Sequence, residues 1–179
     1  RAGDGPRSVA VNVSASNLLD TDLPDQIATM LAIRGLPGEA LTVEITEGVL
    51  MADPDRAGRV LRSLRALGVG ISIDDYGTGL SSLAYLKQIA ANELKIDKAF
   101  VLGVSDSGRD ALLLRSTIDL AHSLGLKVTA EGVETDTAFA LLAGMGCDLA
   151  QGYLIARPMP LKELLMFLRE DKQANKRYG

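Results

Sequence analysis

Short apolar, β-branched segments alternate with longer amphipathic segments along nearly the whole of this 179-residue chain. Apolar residues in the longer segments recur at the i, i+3, i+4 and i+7 spacing of a helix with one buried face. One such segment contains Ala57, Val60, Leu61, Leu64 and Leu67. Six strand-and-helix units in succession predict an α/β protein with a parallel sheet. The predicted strands are residues 9–13, 41–46, 70–74, 93–97, 127–130 and 147–151.

Aspartate, proline and glycine mark where the predicted helices begin and end. Asp53 followed by Pro54 is typical of a helix start, because Asp caps the first turn and Pro fits the first helical position. Gly68 predicts the end of the same helix, and Gly125 predicts the end of a later one. Pro160 predicts the start of the last helix.

The composition predicts a single soluble domain, with 47% hydrophobic residues and a formal net charge of -4. The one cysteine, Cys147, excludes a disulfide within the chain and indicates a reducing, cytoplasmic compartment. No apolar run approaches the ~20 residues of a membrane span, and the mild acidity argues against a surface for polymeric nucleic acid. Residues 1–169 are predicted to form the domain, followed by a polar tail at 170–179.

Polar residues stand at or near the C-terminal end of every predicted strand, whereas the glycine-rich phosphate-binding motifs of open α/β sheets are absent from the sequence. The strand ends of a barrel converge on one mouth, where barrel enzymes keep their chemistry, so this distribution favours a barrel over an open sheet. The polar residues are Asn12, Glu44, Asp74, Asp75, Lys95, Glu131 and Gln151.

The length of the repeated unit predicts that the barrel continues upstream. Six units spread over residues 9–168 average about 27 residues each, so eight would approach the ~250 residues typical of a (β/α)8 barrel. The chain begins with Arg1 rather than Met, so we expect about two further units before it. In the chain as given, the strands at 9–13 and 147–151 would then be unpaired edges that promote pairing with another copy or aggregation.

Carboxylate and amide oxygens dominate the predicted mouth, which suits the hard cations Mg²⁺ and Mn²⁺ rather than zinc. The adjacent carboxylates of Asp74 and Asp75 repel each other unless a cation lies between them, which favours a metal site or a bridge between two metals. Lys95 adds a positive group that can hold an attacking water or neutralise developing charge in two-metal hydrolysis.

Each of these residues also has a purely structural interpretation. Asn12 could cap a loop, Asp74 and Asp75 could be turn residues, and Lys95 could pair with Glu93 or Asp97 on its own strand. Turn chemistry alone is a poor explanation for polar residues at the ends of all six strands. The only histidine, His122, is interpreted as structural, with Asp119 on the same helix as its possible partner.

Six short motifs, in order and spacing, resemble those of the EAL-domain cyclic di-GMP phosphodiesterases. The resemblance covers residues ~9 to ~168, nearly the whole chain. The motifs are Asn12-Val-Ser14, Glu44-Ile-Thr-Glu47, Asp74-Asp-Tyr-Gly-Thr-Gly79, Leu94-Lys-Ile-Asp97, Ala130-Glu-Gly-Val-Glu134 and Gln151-Gly-Tyr153.

The resemblance implies a TIM-like (β/α)8 barrel, here with six of the eight units, that opens cyclic di-GMP to linear pGpG with Mg²⁺ or Mn²⁺. It implies catalytic roles for Lys95 and Glu131, a substrate-side or supporting role for Glu134 and Gln151, and a loop-anchoring role for Glu47. A homodimer would form through the loop and helix after Asp75. The implied metal ligands are Asn12, Glu44, Asp74, Asp75 and Glu131.

The glutamate of the motif that names the family should precede Asn12, where only eleven residues remain. Glu39-Ala40-Leu41 spells the tripeptide, but it stands at the entry to the Glu44 strand and is interpreted as a chance match. We therefore expect the missing glutamate upstream, in a parent that carries a sensory or GGDEF-type domain or a membrane attachment there. The chain alone is predicted to have weak activity or none.

Two other functions remain open. A non-catalytic receptor would bind cyclic di-GMP and pass the signal through its dimer surface, and loss of the upstream glutamate would favour it. A Schiff-base aldolase would use Lys95 as its nucleophile on a barrel strand.

Overall fold

The computed structural model describes residues 8–46, 48–49, 53–76, 91–104 and 108–178, with side chains as far as residue 170. The strands are β1 (Val9–Asn12), β2 (Leu41–Thr46), β3 (Gly70–Tyr76), β4 (Glu93–Ile96), β5 (Lys127–Ala130) and β6 (Leu149–Ala150). The helices are α1 (Ala15–Leu18), α2 (Leu23–Arg34), α3 (Pro54–Ala66), α4 (Lys98–Leu102), α5 (Gly108–Ser123), α6 (Asp136–Gly144) and α7 (Leu161–Tyr178). A turn of 3-10 helix, Gly38–Ala40, precedes β2.

The six strands form one parallel sheet in the order in which they occur in the chain, β1-β2-β3-β4-β5-β6. An open doubly wound sheet reverses its strand order at a switch point, whereas a barrel adds each strand beside the preceding one. No reversal occurs among these strands, so the α/β fold is that of a partial barrel. The predicted choice of a barrel over an open sheet is confirmed.

One face of the sheet is apolar and carries the core. Alternate residues of each strand point to this face, including Val43 and Ile45 of β2 and Ile71 and Ile73 of β3, all of which are buried. Helices α3 and α5 cover them with the apolar stripes seen in the sequence. The buried side chains of these two helices are Ala57, Val60, Leu61, Leu64, Leu114, Ile118 and Ala121.

The other face of the sheet is polar, although strands of parallel sheets are commonly apolar on both faces. Strand β4 shows the alternation clearly, since Leu94 and Ile96 face the core while Glu93 and Lys95 face the opposite side. Buried polar groups on this face need hydrogen-bond or ion-pair partners, and these groups and their partners form the candidate site. The other polar residues of this face include Thr42, Glu44, Ser72, Asp74 and Thr129.

The predicted boundaries of helix α3 are confirmed. The side chain of Asp53 accepts the backbone N–H of Arg56, and Pro54 occupies the first turn. Gly68 follows the helix with φ +84°, a left-handed conformation that costs glycine little and other residues much.

The last strand is shorter than predicted, with only Leu149–Ala150 in regular pairing. The cause lies in the residues before it. The backbone N–H of Val128 donates to the side chain of Asp148 rather than to a backbone carbonyl of β6. The Val128 carbonyl still accepts the backbone N–H of Asp148, so the backbone pairing is only partly interrupted. Helix α7 extends to Tyr178, through most of the segment predicted as a polar tail.

Strands β1 and β6 lie at the two edges of the described sheet, as predicted from the unit count. Val9 and Val11 of β1 are 54% and 47% exposed, so the face of β1 that a helix would cover is open. Among the described residues, no helix has both the length and the apolar character needed to cross a lipid bilayer.

Candidate active site

Lys95 on β4 lies at the centre of the polar face and is nearly fully buried. Its ammonium nitrogen lies 2.9 Å from Glu44 Oε1 of β2, 3.3 Å from Asp74 Oδ1 of β3 and 2.5 Å from Oε1 of Glu131, which follows β5. Four consecutive strands therefore each contribute one charged group to a single cluster. We call Glu44, Asp74, Lys95 and Glu131 the charged cluster.

The pKa values of two cluster members depart from their ordinary values. Burial on its own lowers the pKa of Lys95, but hydrogen bonds to Glu131 and Glu44 and the negative charges of these carboxylates outweigh it and raise the pKa. Burial raises the pKa of Glu131, and the charges of Asp74 and Glu44 add to this effect, while Lys95 opposes it. The cluster thus holds a protonated lysine beside an unusually basic carboxylate.

Asp74 and Asp75 are neighbours in a strand, so regular alternation would send their side chains to opposite faces of the sheet. The register between β3 and β4 shifts between Ile73 and Tyr76, which is a β-bulge. Asp75 has φ +56°, an uncommon conformation for a residue other than glycine. These two irregularities allow both carboxylates to lie at the mouth.

Carboxylate oxygens of Asp74, Asp75 and Glu131 all lie within 4.8 Å of one another. Three hard oxygen donors at this separation fit Mg²⁺ or Mn²⁺, which bind through carboxylates and keep several waters. The Lys95 ammonium lies between Asp74 and Glu131 and offsets the repulsion between their carboxylates. A bound cation would offset the same repulsion. The donor set therefore fits a divalent metal.

A cavity of about 440 Å³ opens on the polar face beside the charged cluster. Glu44 and Lys95 form part of its wall, and Gln151 at the end of β6 forms another part. Ala10 of β1 and Ile155 after β6 contribute apolar surface. The combination of a few charged groups with apolar walls is typical of a site for a small molecule.

The remaining predicted residues lie at different distances from this centre. Asn12 is exposed at the end of β1, where it is paired in register with Glu44. Glu134 is exposed and lines a separate cavity of about 320 Å³ with Gly132 and Val101, rather than the cavity of Lys95. Glu47 lies outside the described residues.

The structural interpretation of Lys95 as a partner of Glu93 or Asp97 is wrong. The carboxylate of Glu93 accepts a hydrogen bond from the Thr129 hydroxyl, and Asp97 accepts the backbone N–H of Ala99 at the start of α4. Thr129 and Ser72 also lie on the polar face and were not among the predicted site residues. The period of two within each strand, applied outward from Lys95 and Asp74, would have identified both.

His122 has a different partner from the one predicted. Its Nε2 lies 2.8 Å from Asp148 Oδ2, before β6, while Asp119 pairs with Arg115 on the same helix. The Asp148 carboxylate also accepts the backbone N–H of Val128, so it links α5, β5 and the loop before β6. This position agrees with a structural role for His122. The histidine connects α5 to the loop before β6, whereas the predicted partner Asp119 lies on its own helix.

Glu39 of the chance tripeptide lies in the 3-10 turn that precedes β2. Glu44 lies five residues further along, in the half of β2 that leads to the mouth. The two glutamates therefore stand at opposite ends of one strand, and Glu39 takes no part in the charged cluster.

Comparison with known proteins agrees with this geometry. A sequence model of the EAL domain matches residues 1–158. The chain is 45% identical over 168 residues to the cyclic di-GMP phosphodiesterase NbdA of Pseudomonas aeruginosa, a match that covers 94% of this chain and 22% of that protein. The chain spans about a fifth to a quarter of the length of the curated relatives it matches.

Two solved structures share the fold. The phosphodiesterase MucR of Pseudomonas aeruginosa, in complex with c-di-GMP, has a TM-score of 0.83 and 42% identity, covering 88% of this chain and 64% of that one. BlrP1 of Klebsiella pneumoniae, solved with manganese and cyclic di-GMP, has a TM-score of 0.79 and 31% identity, covering 84% of this chain and 39% of that one. The resemblance inferred from the six motifs is confirmed, and the chain belongs to the EAL domain family.

Proposed function

We propose that this chain supplies most of the active site of a metal-dependent phosphodiesterase that hydrolyses cyclic di-GMP to linear pGpG. The observation that carries the proposal is the charged cluster, in which the Lys95 ammonium lies within 3.3 Å of three carboxylates from neighbouring strands. The relatives NbdA and MucR are cyclic di-GMP phosphodiesterases, which supports this choice of substrate.

The charge of the site explains why such a reaction would need a metal. Glu44, Asp74, Asp75 and Glu131 carry four formal negative charges against the single positive charge of Lys95, a net of -3. A phosphodiester is itself an anion, so the bare site would repel it. Divalent cations held by the carboxylates would reverse that field.

We assign the metal ligands to Asn12, Glu44, Asp74, Asp75 and Glu131. When bound, Mg²⁺ or Mn²⁺ supplies Lewis acidity toward the phosphoryl oxygen and makes a bound water more acidic at neutral pH. The BlrP1 structure solved with manganese supports the choice of metal class.

Lys95 and Glu131 would act on the attacking water. The Lys95 ammonium donates a hydrogen bond that orients the water and neutralises charge as it develops on the phosphoryl oxygens. The Glu131 carboxylate accepts the proton from that water. The water oxygen bonds to phosphorus, the bond from phosphorus to the ribose 3′ oxygen breaks, and that oxygen takes up the proton that Glu131 received. The product is a linear dinucleotide with a 5′ phosphate.

Glu134 and Gln151 are assigned to the substrate side of the site, and Glu47 to the support of the loop after Asp75. Gln151 borders the cavity of Lys95, which supports its assignment. The same proposal places residues 1–169 in one cytoplasmic EAL domain with a C-terminal segment at 170–179. It also includes a homodimer formed through the loop and helix after Asp75, and a sensory or GGDEF-type domain upstream in the parent.

The direct test is hydrolysis of cyclic di-GMP by the full-length polypeptide with Mn²⁺ or Mg²⁺, followed by separation of pGpG. Lys95→Ala and Glu44→Ala should lower turnover by about 10²–10³. Lys127→Ala, at an exposed lysine of β5, is the matched control and should retain activity. No metal-dependent turnover by the wild type would contradict the proposal, and tight binding without turnover would favour the receptor function.

A further inference from the structure

A second polar pair lies beside the charged cluster on the same face of the sheet, two residues further from the C-terminal ends of the strands. The hydroxyl of Thr129 on β5 donates a hydrogen bond to Oε1 of Glu93 on β4. Glu93 precedes Lys95 by two residues and Thr129 precedes Glu131 by two, so both members point to the polar face. The register places Thr129 directly opposite Lys95.

Glu93 is a potential competitor for the Lys95 ammonium. Residues two apart on a strand lie on the same face and only about 6.6 Å apart, so a flexible lysine side chain can turn toward either end. Both side chains line the same 440 Å³ cavity. Lys95 nevertheless pairs with Glu44, Asp74 and Glu131 rather than with Glu93.

Glu93 is bonded to Thr129 instead. Within the described part of the chain, its hydroxyl is the one side-chain donor that bonds to Glu93. This hydrogen bond turns the Glu93 carboxylate toward β5. The carboxylate is then a poorer partner for Lys95 on its own strand. Ser72, which is paired in register with Glu93 on the other side, has a buried hydroxyl with no partner among the described residues.

We propose that Thr129 is a positioning residue. Its hydroxyl holds the Glu93 carboxylate toward β5, so that Lys95 pairs with the other carboxylates of the charged cluster instead of with Glu93. The inference rests on the proposed function, because it concerns the lysine that orients the attacking water. Thr129 also lines the 440 Å³ cavity, and in the proposed role it acts on Lys95 through Glu93.

The test is a pair of substitutions in the full-length polypeptide. Thr129→Val keeps the β-branched shape but removes the donor, so Glu93 becomes available to Lys95 and draws its ammonium away from the mouth. Turnover should fall by about 10- to 100-fold, the usual effect of removing an outer hydrogen-bond partner. Mn²⁺ binding, measured by calorimetry without substrate, should become several-fold tighter, because the carboxylates lose an internal competitor for the metal.

The decisive variant combines Thr129→Val with Glu93→Gln. Glutamine has no negative charge to attract Lys95, so both turnover and Mn²⁺ affinity should return toward the wild-type values. Thr129→Ser retains the hydroxyl and should behave as the wild type, and Glu93→Gln alone is the reference with which the double variant is compared. Simple loss of packing at position 129 would give slower turnover with unchanged or weaker Mn²⁺ binding and no rescue by Glu93→Gln.

The outcomes separate the two proposals. If the wild type binds Mn²⁺ and turns over cyclic di-GMP, but Thr129→Val is unchanged or is not rescued, the positioning role is overturned and the phosphodiesterase function stands. If the wild type neither binds Mn²⁺ nor turns over the substrate, the proposed function fails and the positioning role fails with it.

Discussion

The ammonium nitrogen of Lys95 lies 2.5 Å from a carboxylate oxygen of Glu131, across the neighbouring strands β4 and β5. Lys95 also contacts Glu44 and Asp74, so one buried cation offsets the repulsion among three carboxylates. A buried ion pair is strongly destabilising when only one side is removed, because the other charge then lacks compensation. The metal-free fold should therefore depend on Lys95.

Lys95→Met is expected to lower the free energy of unfolding in chelator by about 3–5 kcal/mol. Mn²⁺ should restore more stability to this variant than to the wild type, because the metal replaces the missing charge. Chemical unfolding in EDTA and in Mn²⁺ measures both effects. Lys127→Met, at an exposed lysine of β5, should change stability by less than about 1 kcal/mol in either buffer. Equal Mn²⁺ stabilisation of Lys95→Met and the wild type would contradict the prediction.

The sequence predicted the fold well because its signals are local. Short β-branched runs indicated the strands and the 3.6-residue period indicated the helices, and the residues Asp53, Pro54 and Gly68 marked the ends of α3. Strand β6 was predicted too long, since a side chain far from β5 in sequence, Asp148, replaces part of the ladder. Such a replacement depends on tertiary contact and leaves no local pattern.

The candidate site was less predictable than the fold. The position of charged residues near strand ends was enough to nominate Lys95 and the carboxylates around it. The bulge at Asp75 could not be read from the sequence, because a strand of regular geometry would have turned that carboxylate away. The partnership of Glu93 with Thr129 depends on the register of β4 and β5, which the sequence does not specify.

Ser72→Ala is expected to leave stability unchanged or raise it by about 1 kcal/mol. The Ser72 hydroxyl is fully buried and has no hydrogen-bond partner among the described residues, so its removal relieves a desolvation penalty. Ser63→Ala on the exposed face of α3 is the control and should stay within about 0.5 kcal/mol. Denaturant unfolding measures both, and a loss of more than 1 kcal/mol in Ser72→Ala would show that the hydroxyl has a stabilising partner.

Asp148→Ala is expected to destabilise the fold at neutral pH by about 1–2 kcal/mol, because it leaves the buried N–H of Val128 unpaired. The hydrogen bond from His122 is the largest cause of the lowered pKa of Asp148, and the Val128 N–H adds to it, while burial opposes both. A carboxyl with a lowered pKa stabilises the fold above its unfolded pKa of about 3.9, and this contribution is lost as the pH falls through the folded pKa.

The difference in unfolding free energy between the wild type and Asp148→Ala should therefore narrow below pH 4. Asp119→Ala, on the helix that carries His122, is the matched control, since its exposed pair with Arg115 contributes about 0–1 kcal/mol. Urea unfolding at pH 7 and at pH 3 tests the prediction. A difference that grows as the pH falls below 4 would mean that the ionised carboxylate is not the stabilising form.

Gly152→Ala is expected to weaken both the fold and the site beside Gln151. A Cβ at position 152 would overlap the backbone of Val133, so the loop after β6 must shift, at a cost of about 1–3 kcal/mol. Because Gln151 borders the cavity of Lys95, the shift should raise the KM for cyclic di-GMP more than it lowers kcat. Gly144→Ala in α6 is the control, since a Cβ there meets nothing within 4 Å and should stabilise the helix by about 0.5–1 kcal/mol. Thermal unfolding and steady-state kinetics of the full-length polypeptide distinguish the two variants, and a Gly152→Ala protein with unchanged KM would separate Gln151 from substrate binding.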